Sequence, residues 1–325
     1  MKKILLVSNQ RPNSNGIGNP IMARMLKSFT LYKSMVIVDF MPFENSIGSL
    51  LKIRKQATKY DIIHVHFGGL YALVIVLFLI GIDITKFITF HGTDIHAKSL
   101  KTTKSTLRRL KIRLNQKASF LCICLYDKCG VVAKEMLSYI PQRLREKNKE
   151  KLFFQPLGVD YDAFVLTDKE KAQDELNLSH GHYVLFSDVS NTNIKRRDIA
   201  SAIVKELGAP YVLLPISGIH PTKVPCYINA CDFAILTSDE EGSPNIIREV
   251  LALNKPFFSV DVGDAAIQLQ GLTNSAIVSR NPKEAAKVIL EYMERPYIDN
   301  TRITRQDKLD FSRNNKIIIQ QYIQS

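Results

Sequence analysis

The stretch DFAILTSDEEGSPNIIREVLALNKPFFSVD, residues 232–261, contains a strand, a loop, a helix and a second strand in succession. Its first seven residues form a short apolar run, which is typical of a strand buried on both faces. A helical pattern begins after the loop, where Ser243 is expected at the N-cap and Pro244 at the first helical position. The apolar run at 256–261 then starts another strand. This order predicts a parallel α/β sheet.

The same alternation of apolar runs and amphipathic segments continues through the rest of the chain. Strands are predicted at 3–8, 34–40, 61–67, 87–91, 119–125 and 151–156, and again at 183–188, 211–216, 232–238, 256–261 and 275–279. A polar segment at 159–182 separates the two series. A chain of 325 residues is longer than one core usually serves. We therefore predict two Rossmann-like, doubly wound parallel-sheet domains facing a cleft, with ligands bound at the carboxyl ends of the strands.

The composition limits the class of protein and the kind of partner. Hydrophobic residues make up 46% and charged residues 23%, which is too apolar for a disordered chain. The net charge of +13 favours a polyanionic partner. The five cysteines form no CxxC motif, so we predict reduced thiols in a cytoplasmic protein, with Cys122 and Cys124 on one face of a strand. The longest apolar run, 69–82, is too short to span a bilayer and predicts a buried helix.

Two glutamates frame the loop of the opening stretch. Glu241 precedes the turn, and Glu249 lies inside the helix. The first amides of that helix would attract a phosphate. The two carboxylates could accept hydrogen bonds from the hydroxyls of a sugar or ribose. The spacing alone equally allows two solvated surface glutamates.

Four motifs resemble those of one enzyme family. EGSPNIIRE resembles the E-x7-E motif of family-4 glycosyltransferases, and DIIHVHFG, ITFHGTD and PLGVDYDAF resemble three further blocks of that family in the right order. The resemblance covers most of the chain. It implies the GT-B fold, with an N-terminal acceptor domain at 1–160, a nucleotide-sugar domain at 161–305, and a terminal helix at 306–325 that packs back on the first domain. It also implies retaining transfer of a sugar from a nucleotide-sugar donor to a glycan or lipid-linked acceptor.

The resemblance also assigns the site residues. His91 and Glu241 are the implied catalytic residues that contact the donor sugar, and Glu249 is expected to hold the ribose of the nucleotide. The implied donor-binding residues are Gly16, Gly18, Lys195, Arg196, Gly242, Ser243, Asn245, Ile246 and Glu249. Asp94 follows His91 and could cap the next helix. No metal and no cofactor are expected.

One part of the family pattern is missing. The family usually has an arginine soon after the strand at 183–188, where this chain has Ser187, Asp188 and Val189. Lys195 matches the lysine that follows. Either Arg196 or Arg197 could replace the missing arginine, or the helix N-terminus could compensate more of the charge.

Two further motifs suggest metal ligands but are interpreted otherwise. Asp160 and Asp162 form a D-x-D, the metal-binding motif of a different glycosyltransferase fold, but they lie in the predicted linker and are taken as structural. His64 and His66 share one strand face without an evident third ligand. They are interpreted as structural or cleft-lining.

The segment 98–117 is strongly basic, with eight Lys or Arg and no acidic residue. Leu107, Leu110 and Leu114 share one helical face, which we expect to pack on the sheet while the cations face anionic lipid. Nucleic acid is not expected as a partner, because no aromatics interleave the cations. These features suggest a peripheral enzyme at the inner face of a bacterial cell membrane, acting in surface polysaccharide or lipopolysaccharide assembly.

The sequence also allows two alternative functions. Gly16, Gly18 and Asp39, which is expected to end the second strand, would suit an NAD(P)-dependent oxidoreductase, although the glycine pattern is incomplete. A non-enzymatic basic adaptor at membranes would explain the charge alone.

Overall fold

The computed structural model describes residues 1–12, 18–92, 94–96, 105–188, 193–295 and 310–325. The chain divides into two compact units. Unit 1 consists of Met1–Leu157 and Phe311–Ser325, and unit 2 of Gly158–Asp310. Within these residues, each unit contains one sheet whose strand pairs are all parallel, which confirms the predicted fold class.

The strands form two sheets. The sheet of unit 1 has the order β2-β1-β3-β4-β5-β6 and the sheet of unit 2 the order β11-β10-β9-β7-β8. In unit 1 the strands are β1 (Lys2–Ser8), β2 (Val36–Pro42), β3 (Ile62–His66), β4 (Thr85–Phe90), β5 (Lys128–Val131) and β6 (Leu152–Phe154). In unit 2 they are β7 (His182–Ser187), β8 (Tyr211–Ile216), β9 (Phe233–Leu236), β10 (Phe257–Ser259) and β11 (Ala276–Ile277).

Helices connect most of these strands, as parallel pairing requires. In chain order they are α1 (Pro20–Phe29), α2 (Ile47–Ala57), α3 (Leu70–Phe78), α4 (Thr106–Leu125), α5 (Gln142–Lys147), α6 (Lys169–Glu175), α7 (Arg197–Leu207), α8 (Val224–Ala230), α9 (Asn245–Ala252), α10 (Ala265–Leu269), α11 (Pro282–Met293) and α12 (Phe311–Gln324). The central strands are apolar throughout because both of their faces are covered. In β1, for example, the run Ile4–Val7 is almost completely buried.

The terminal helix α12 belongs to unit 1. Its buried residues, among them Ile318 and Tyr322, join the core that contains β1 and α1. Polar contacts fix its position. The Tyr32 hydroxyl donates to the Ser312 carbonyl at 2.8 Å, and the Asn315 side-chain amide donates to the Ser28 hydroxyl.

One predicted strand is wrong. Residues 119–125, expected as a strand, are the last turns of α4, and the strand β5 that follows was not predicted. The run SFLCICL fits both a two-residue and a helical period. The helix wins because the amphipathic segment before it continues without a break. Cys122 is therefore buried while Cys124 is exposed, not side by side on a strand, and all five cysteines are free thiols.

The apolar segment at 69–82 is only partly buried. It forms α3, which buries Ala72, Ile75 and Val76, whereas Leu77 is exposed. No helix within the described ranges is long and apolar enough to cross a membrane.

The leucines of the basic segment do not pack on the sheet, which corrects the expectation for them. Residues 98–104 lie outside the described residues, and the rest of the segment is in α4. Five leucines on this helix, spaced three, four or seven residues apart, share one face and are exposed. Leu107, Leu110, Leu114, Leu121 and Leu125 are 78%, 53%, 46%, 52% and 41% exposed. We call this set the leucine stripe. Ser119, Cys122 and Ile123 form the buried side of the helix instead.

Candidate functional site

The loops after β7 and β9 in unit 2 bring a cation and an anion together. Lys195 Nζ donates to Glu241 Oε1 at 2.7 Å, and both side chains are mostly buried. They are 46 residues apart in sequence. They meet because both loops lie at the carboxyl edge of the sheet, where ligands of such sheets bind.

The backbone around Lys195 is held by the end of β9. The Thr237 hydroxyl lies within hydrogen-bonding distance of the carbonyls of Lys195 and Arg196, at 3.0 and 2.9 Å. The Asp239 amide donates to the Ile194 carbonyl at 2.8 Å. These contacts place the Lys195 side chain against the following loop.

Arg280 was missed by the sequence reasoning. Its guanidinium donates to the carbonyls of Thr237 and Ser238 at 3.1 and 2.7 Å, and to the Asp239 carboxylate at 3.1 Å. It therefore clamps the loop that leads to Glu241. No local sequence motif predicts this contact, because Arg280 lies 42 residues from Ser238.

Helix α9 follows the Glu241 loop and begins one residue later than expected. Pro244 is at the N-cap and Asn245 is the first helical residue, so Ser243 is not the cap. The Ser243 hydroxyl instead donates to the buried Asp264 carboxylate at 2.7 Å. No side chain caps α9 in the described structure, which leaves the amides of Asn245 and Ile246 at the positive end of the helix.

Glu249 lies on α9 and is buried, as is its neighbour Arg248. Arg248 contacts Ser243, the Asn245 side-chain oxygen and the Asp264 carboxylate. The helix is thereby anchored to the loop after β10. Glutamates are seldom buried in folded proteins, so the burial of Glu249 is an uncommon feature of this helix.

Gly263, in the loop after β10, explains how Glu241 and Gly242 are supported. Its backbone has φ +60°, and a Cβ there would lie 2.5 Å from the Gly242 carbonyl oxygen. Only glycine lets the two loops approach this closely.

Arg196 and Arg197 differ in their environments. The Arg196 guanidinium is bound by the carboxylates of Asp198 and Asp239, and its pKa is raised chiefly by the hydrogen bond to Asp198. Arg197 is more exposed and lies 3.8 Å from the Asp188 carboxylate at the end of β7. Arg197 is thus next to the position where the family arginine is missing, whereas Arg196 is committed to two carboxylates.

In unit 1, the ends of β3 and β4 surround His91. Its Nε2 lies 3.1 Å from His66 Nδ1, and its ring stacks on Phe67 with centroids 4.1 Å apart. Phe67 has φ +69°, an uncommon conformation for a bulky residue. Burial lowers the pKa of His91 to about 3, so the ring is neutral near pH 7.

Asp94 joins these two loops rather than only capping the next helix. Its carboxylate accepts from the amides of Gly68 at 2.7 Å, His91 at 3.0 Å and Gly92 at 2.8 Å. Burial raises its pKa, and the hydrogen bonds from the amides oppose this rise. The carboxylate thus holds the backbone of His91 against the end of β3.

His64 lies on β3, two residues before His66, and its ring takes part in a series of hydrogen bonds whose donors and acceptors can be assigned. Thr89 donates its only hydroxyl proton to Gln155 at 2.8 Å, so it must accept from His64 Nε2, also at 2.8 Å. His64 Nδ1 then accepts from the Tyr322 hydroxyl of α12. Both nitrogens of His64 are satisfied, and burial lowers its pKa to about 3.

The remaining predicted residues are placed as follows. Gly16 lies outside the described residues. Gly18 has φ +115°, and a Cβ there would lie 2.8 Å from the Arg11 carbonyl oxygen. The expectation that Asp39 ends the second strand is wrong. Asp39 lies in the middle of β2, which continues to Pro42, and it accepts from the Tyr60 hydroxyl.

The whole chain is similar to solved glycosyltransferase structures. Sucrose-phosphate synthase from Thermosynechococcus elongatus superimposes with a TM-score of 0.74 at 14% identity, over 100% of this chain and 99% of that one. HepE from Anabaena in complex with UDP-glucose gives 0.71 at 15% identity over 100% of both chains. WaaG, a glycosyltransferase involved in lipopolysaccharide biosynthesis, gives 0.67 at 11% identity over 97% and 98%.

The fold is that of the GT-B glycosyltransferases. At such low identities the GT-B likeness concerns the fold and not the substrates. No protein-family model matches the sequence, and no curated protein matches it either.

Proposed function

We propose that the chain is a retaining family-4 glycosyltransferase that moves a sugar from a nucleotide-sugar to a glycan or lipid-linked acceptor. The observation that carries the proposal is the group formed in unit 2 by Lys195, Glu241 and the uncapped start of α9, with Glu249 buried on that helix. A cation and free helix amides suit a diphosphate, and carboxylates suit hydroxyls.

The diphosphate of the donor would bind at the start of α9. The amides of Asn245 and Ile246 and the Lys195 ammonium would share its charge, with Gly242 and Ser243 forming the adjoining turn. Arg197 supplies a further exposed cation beside this edge. As the sugar leaves, the same groups would stabilise the charge that develops on the departing diphosphate.

The nucleotide is proposed to be UDP. HepE has been crystallised with UDP and with UDP-glucose, and it shares the fold over the full length of this chain. Glu249 would hold the ribose. Glu241 and His91 would contact the donor sugar, and the reaction would depend on positioning rather than on a covalent nucleophile.

The acceptor is proposed to be presented at an anionic membrane face. Within the described part of α4, the leucine stripe is accompanied by Arg108, Arg109, Lys111, Arg113 and Lys117, and the helix contains no acidic residue. A basic helix with an exposed apolar face binds anionic lipid surfaces. This supports peripheral attachment at the inner face of the cell membrane and a role in surface polysaccharide assembly.

The experiment that tests the proposal is a screen of nucleotide-sugars for hydrolysis and for transfer to glycan and lipid-linked acceptors. We expect turnover of a UDP-sugar with retained anomeric configuration, and a rise in melting temperature with UDP. A rise with NAD and none with UDP would favour an oxidoreductase, although the mid-strand position of Asp39 removes part of the support for that activity. No response to any nucleotide would favour a membrane adaptor.

A further inference from the structure

His66 has no role in the function proposed above, yet its surroundings are unusual for a core histidine. It lies at the end of β3, is fully buried, and has its ring 4.2 Å from the ring of His64. His64 has both ring nitrogens hydrogen-bonded. His66 has a partner at Nδ1 only, and its buried Nε2 has none among the described residues.

The partner of His66 is His91. Their contact, from His66 Nδ1 to His91 Nε2, measures 3.1 Å. Burial keeps both rings neutral by lowering their pKa values. A neutral imidazole has one donor and one acceptor nitrogen, so a hydrogen bond at Nε2 fixes which role remains for Nδ1.

Two other contacts hold His91, but neither of them prevents a flip of its ring. Phe67 stacks on the ring and sets its plane, and Asp94 accepts from the His91 amide and sets its backbone. Neither contact distinguishes the two orientations related by a flip of the ring. The hydrogen bond to His66 does, because it binds Nε2 and leaves Nδ1 as the remaining polar atom. Nδ1 is buried and unpartnered in the described part of the chain.

We propose that His66 is a positioning residue that fixes the ring orientation and tautomer of His91, so that Nδ1 is the atom that meets a hydroxyl of the donor sugar. This rests on the proposed contact between His91 and that sugar. A hydroxyl that reached Nδ1 would also satisfy a buried group that otherwise lacks a partner, which lowers the cost of its burial.

Three variants of the full-length chain test the proposal. In His66→Asn the amide takes the place of Nδ1 and can keep the hydrogen bond to His91. In His66→Gln the amide takes the place of Nε2 and cannot. His66→Phe keeps a ring but removes both nitrogens. Melting temperatures identify the variants that fold, and the Asn and Gln pair remains informative if the Phe variant does not fold.

We expect His66→Gln and His66→Phe to lower kcat on the order of 10–100-fold, with the donor KM within about threefold of wild type, as for a mispositioned catalytic group. His66→Asn should keep most of the activity. Nitrogen-15 spectra of labelled histidine should show one His91 tautomer in wild type and in His66→Asn, and a mixture in His66→Phe. Wild-type kcat and an unchanged His91 tautomer in His66→Phe would overturn the proposal, as would equal kcat in the Asn and Gln variants.

The proposed function can fail separately. If His91→Ala keeps full turnover, the contact between His91 and the sugar is wrong, and with it the catalytic part of this inference. The nitrogen-15 spectra would still report whether His66 fixes the ring of His91.

Discussion

Lys195 Nζ lies 2.7 Å from Glu241 Oε1, and this ion pair joins the loops after β7 and β9. A donor diphosphate that needs the same ammonium group must compete with Glu241 for it. In the proposed function, Lys195 would turn to the diphosphate, and Glu241 would then accept a hydrogen bond from a sugar hydroxyl. The pair compensates two mostly buried charges, and the proposed donor would replace it.

Replacing Lys195 with methionine should weaken the binding of UDP by about tenfold or more, because a hydrogen bond to a charged group contributes roughly 1.5–3 kcal/mol. Isothermal titration with UDP measures this loss. Lys205→Met is the matched control, because Lys205 is exposed in the last turn of α7 and is not assigned to the donor site. Equal losses in the two variants would contradict the assignment of Lys195.

Replacing Gly263 with alanine should lower donor affinity and stability together. The added Cβ would lie 2.5 Å from the Gly242 carbonyl, so the loop that carries Glu241 must move. Gly218→Ala is the control, because Gly218 has a similar φ of +64° but open space around its Cβ position. The control should show only the strain of a left-handed alanine, about 1 kcal/mol, and unchanged UDP binding.

Thermal unfolding and UDP titration of both variants test this prediction. Unchanged UDP affinity in Gly263→Ala would mean that the approach of the two loops does not matter for the donor.

The sequence predicted the architecture well where the pattern was local. Apolar runs located ten of the eleven strands of the described structure to within a few residues. A strand buried on both faces needs apolar side chains along its whole length, so it is visible in the sequence as a continuous apolar run. The exception, 119–125, is a run whose spacing fits two periods. The predicted start of α9 is one residue too early, because the Ser243 hydroxyl donates to the Asp264 carboxylate instead of capping the helix.

What the sequence could not provide were partners distant along the chain. Arg280 binds residues 41 to 43 positions away, and Tyr322 contacts His64 from 258 positions away. The sequence also did not predict that the leucine stripe is exposed. A row of leucines on a helix indicates an apolar face but not whether the protein covers it.

Stability should fall as the pH is lowered below about 6.5, the ordinary pKa of histidine. Burial lowers the pKa of His64 and of His91 to about 3, and that of His66 well below its usual range. Between these values the unfolded chain binds more protons, so each histidine removes about 1.4 kcal/mol from the free energy of unfolding per pH unit.

Urea unfolding followed by circular dichroism between about pH 7 and pH 5 measures this slope. His64→Gln should reduce the slope by the contribution of one histidine, about 1.4 kcal/mol per pH unit. His180→Gln is the control. His180 is exposed and its pKa is raised by its hydrogen bond to Asp174, so its replacement should not reduce the slope. An unchanged slope in His64→Gln would contradict the neutral buried state of His64.

The leucine stripe should determine binding to anionic vesicles. Replacing Leu110 and Leu114 together by glutamine should weaken the partition onto vesicles of anionic lipid by about tenfold or more, since each leucine that leaves water contributes up to 1.5–3 kcal/mol. Sedimentation with vesicles measures the bound fraction. Leu31→Gln is the control, because Leu31 is 65% exposed but lies outside α4.

Activity on a soluble acceptor should be preserved in the double variant, because α4 is not assigned to the donor site. If the double variant binds vesicles as wild type does, the membrane role of α4 is wrong.

Unit 2 is proposed to bind a nucleotide diphosphate through Lys195 and the ribose through Glu249. The most direct measurement is a titration of wild type, Glu249→Gln and Lys195→Met with UDP and with inorganic pyrophosphate. Glu249→Gln should lose about tenfold in affinity for UDP and none for pyrophosphate, since the proposed charged hydrogen bond would be made to the ribose alone. Lys195→Met should lose affinity for both ligands, and Glu284→Gln on α11 for neither. Wild-type affinity for UDP in Glu249→Gln, or no binding of UDP by the wild-type protein, would contradict the account.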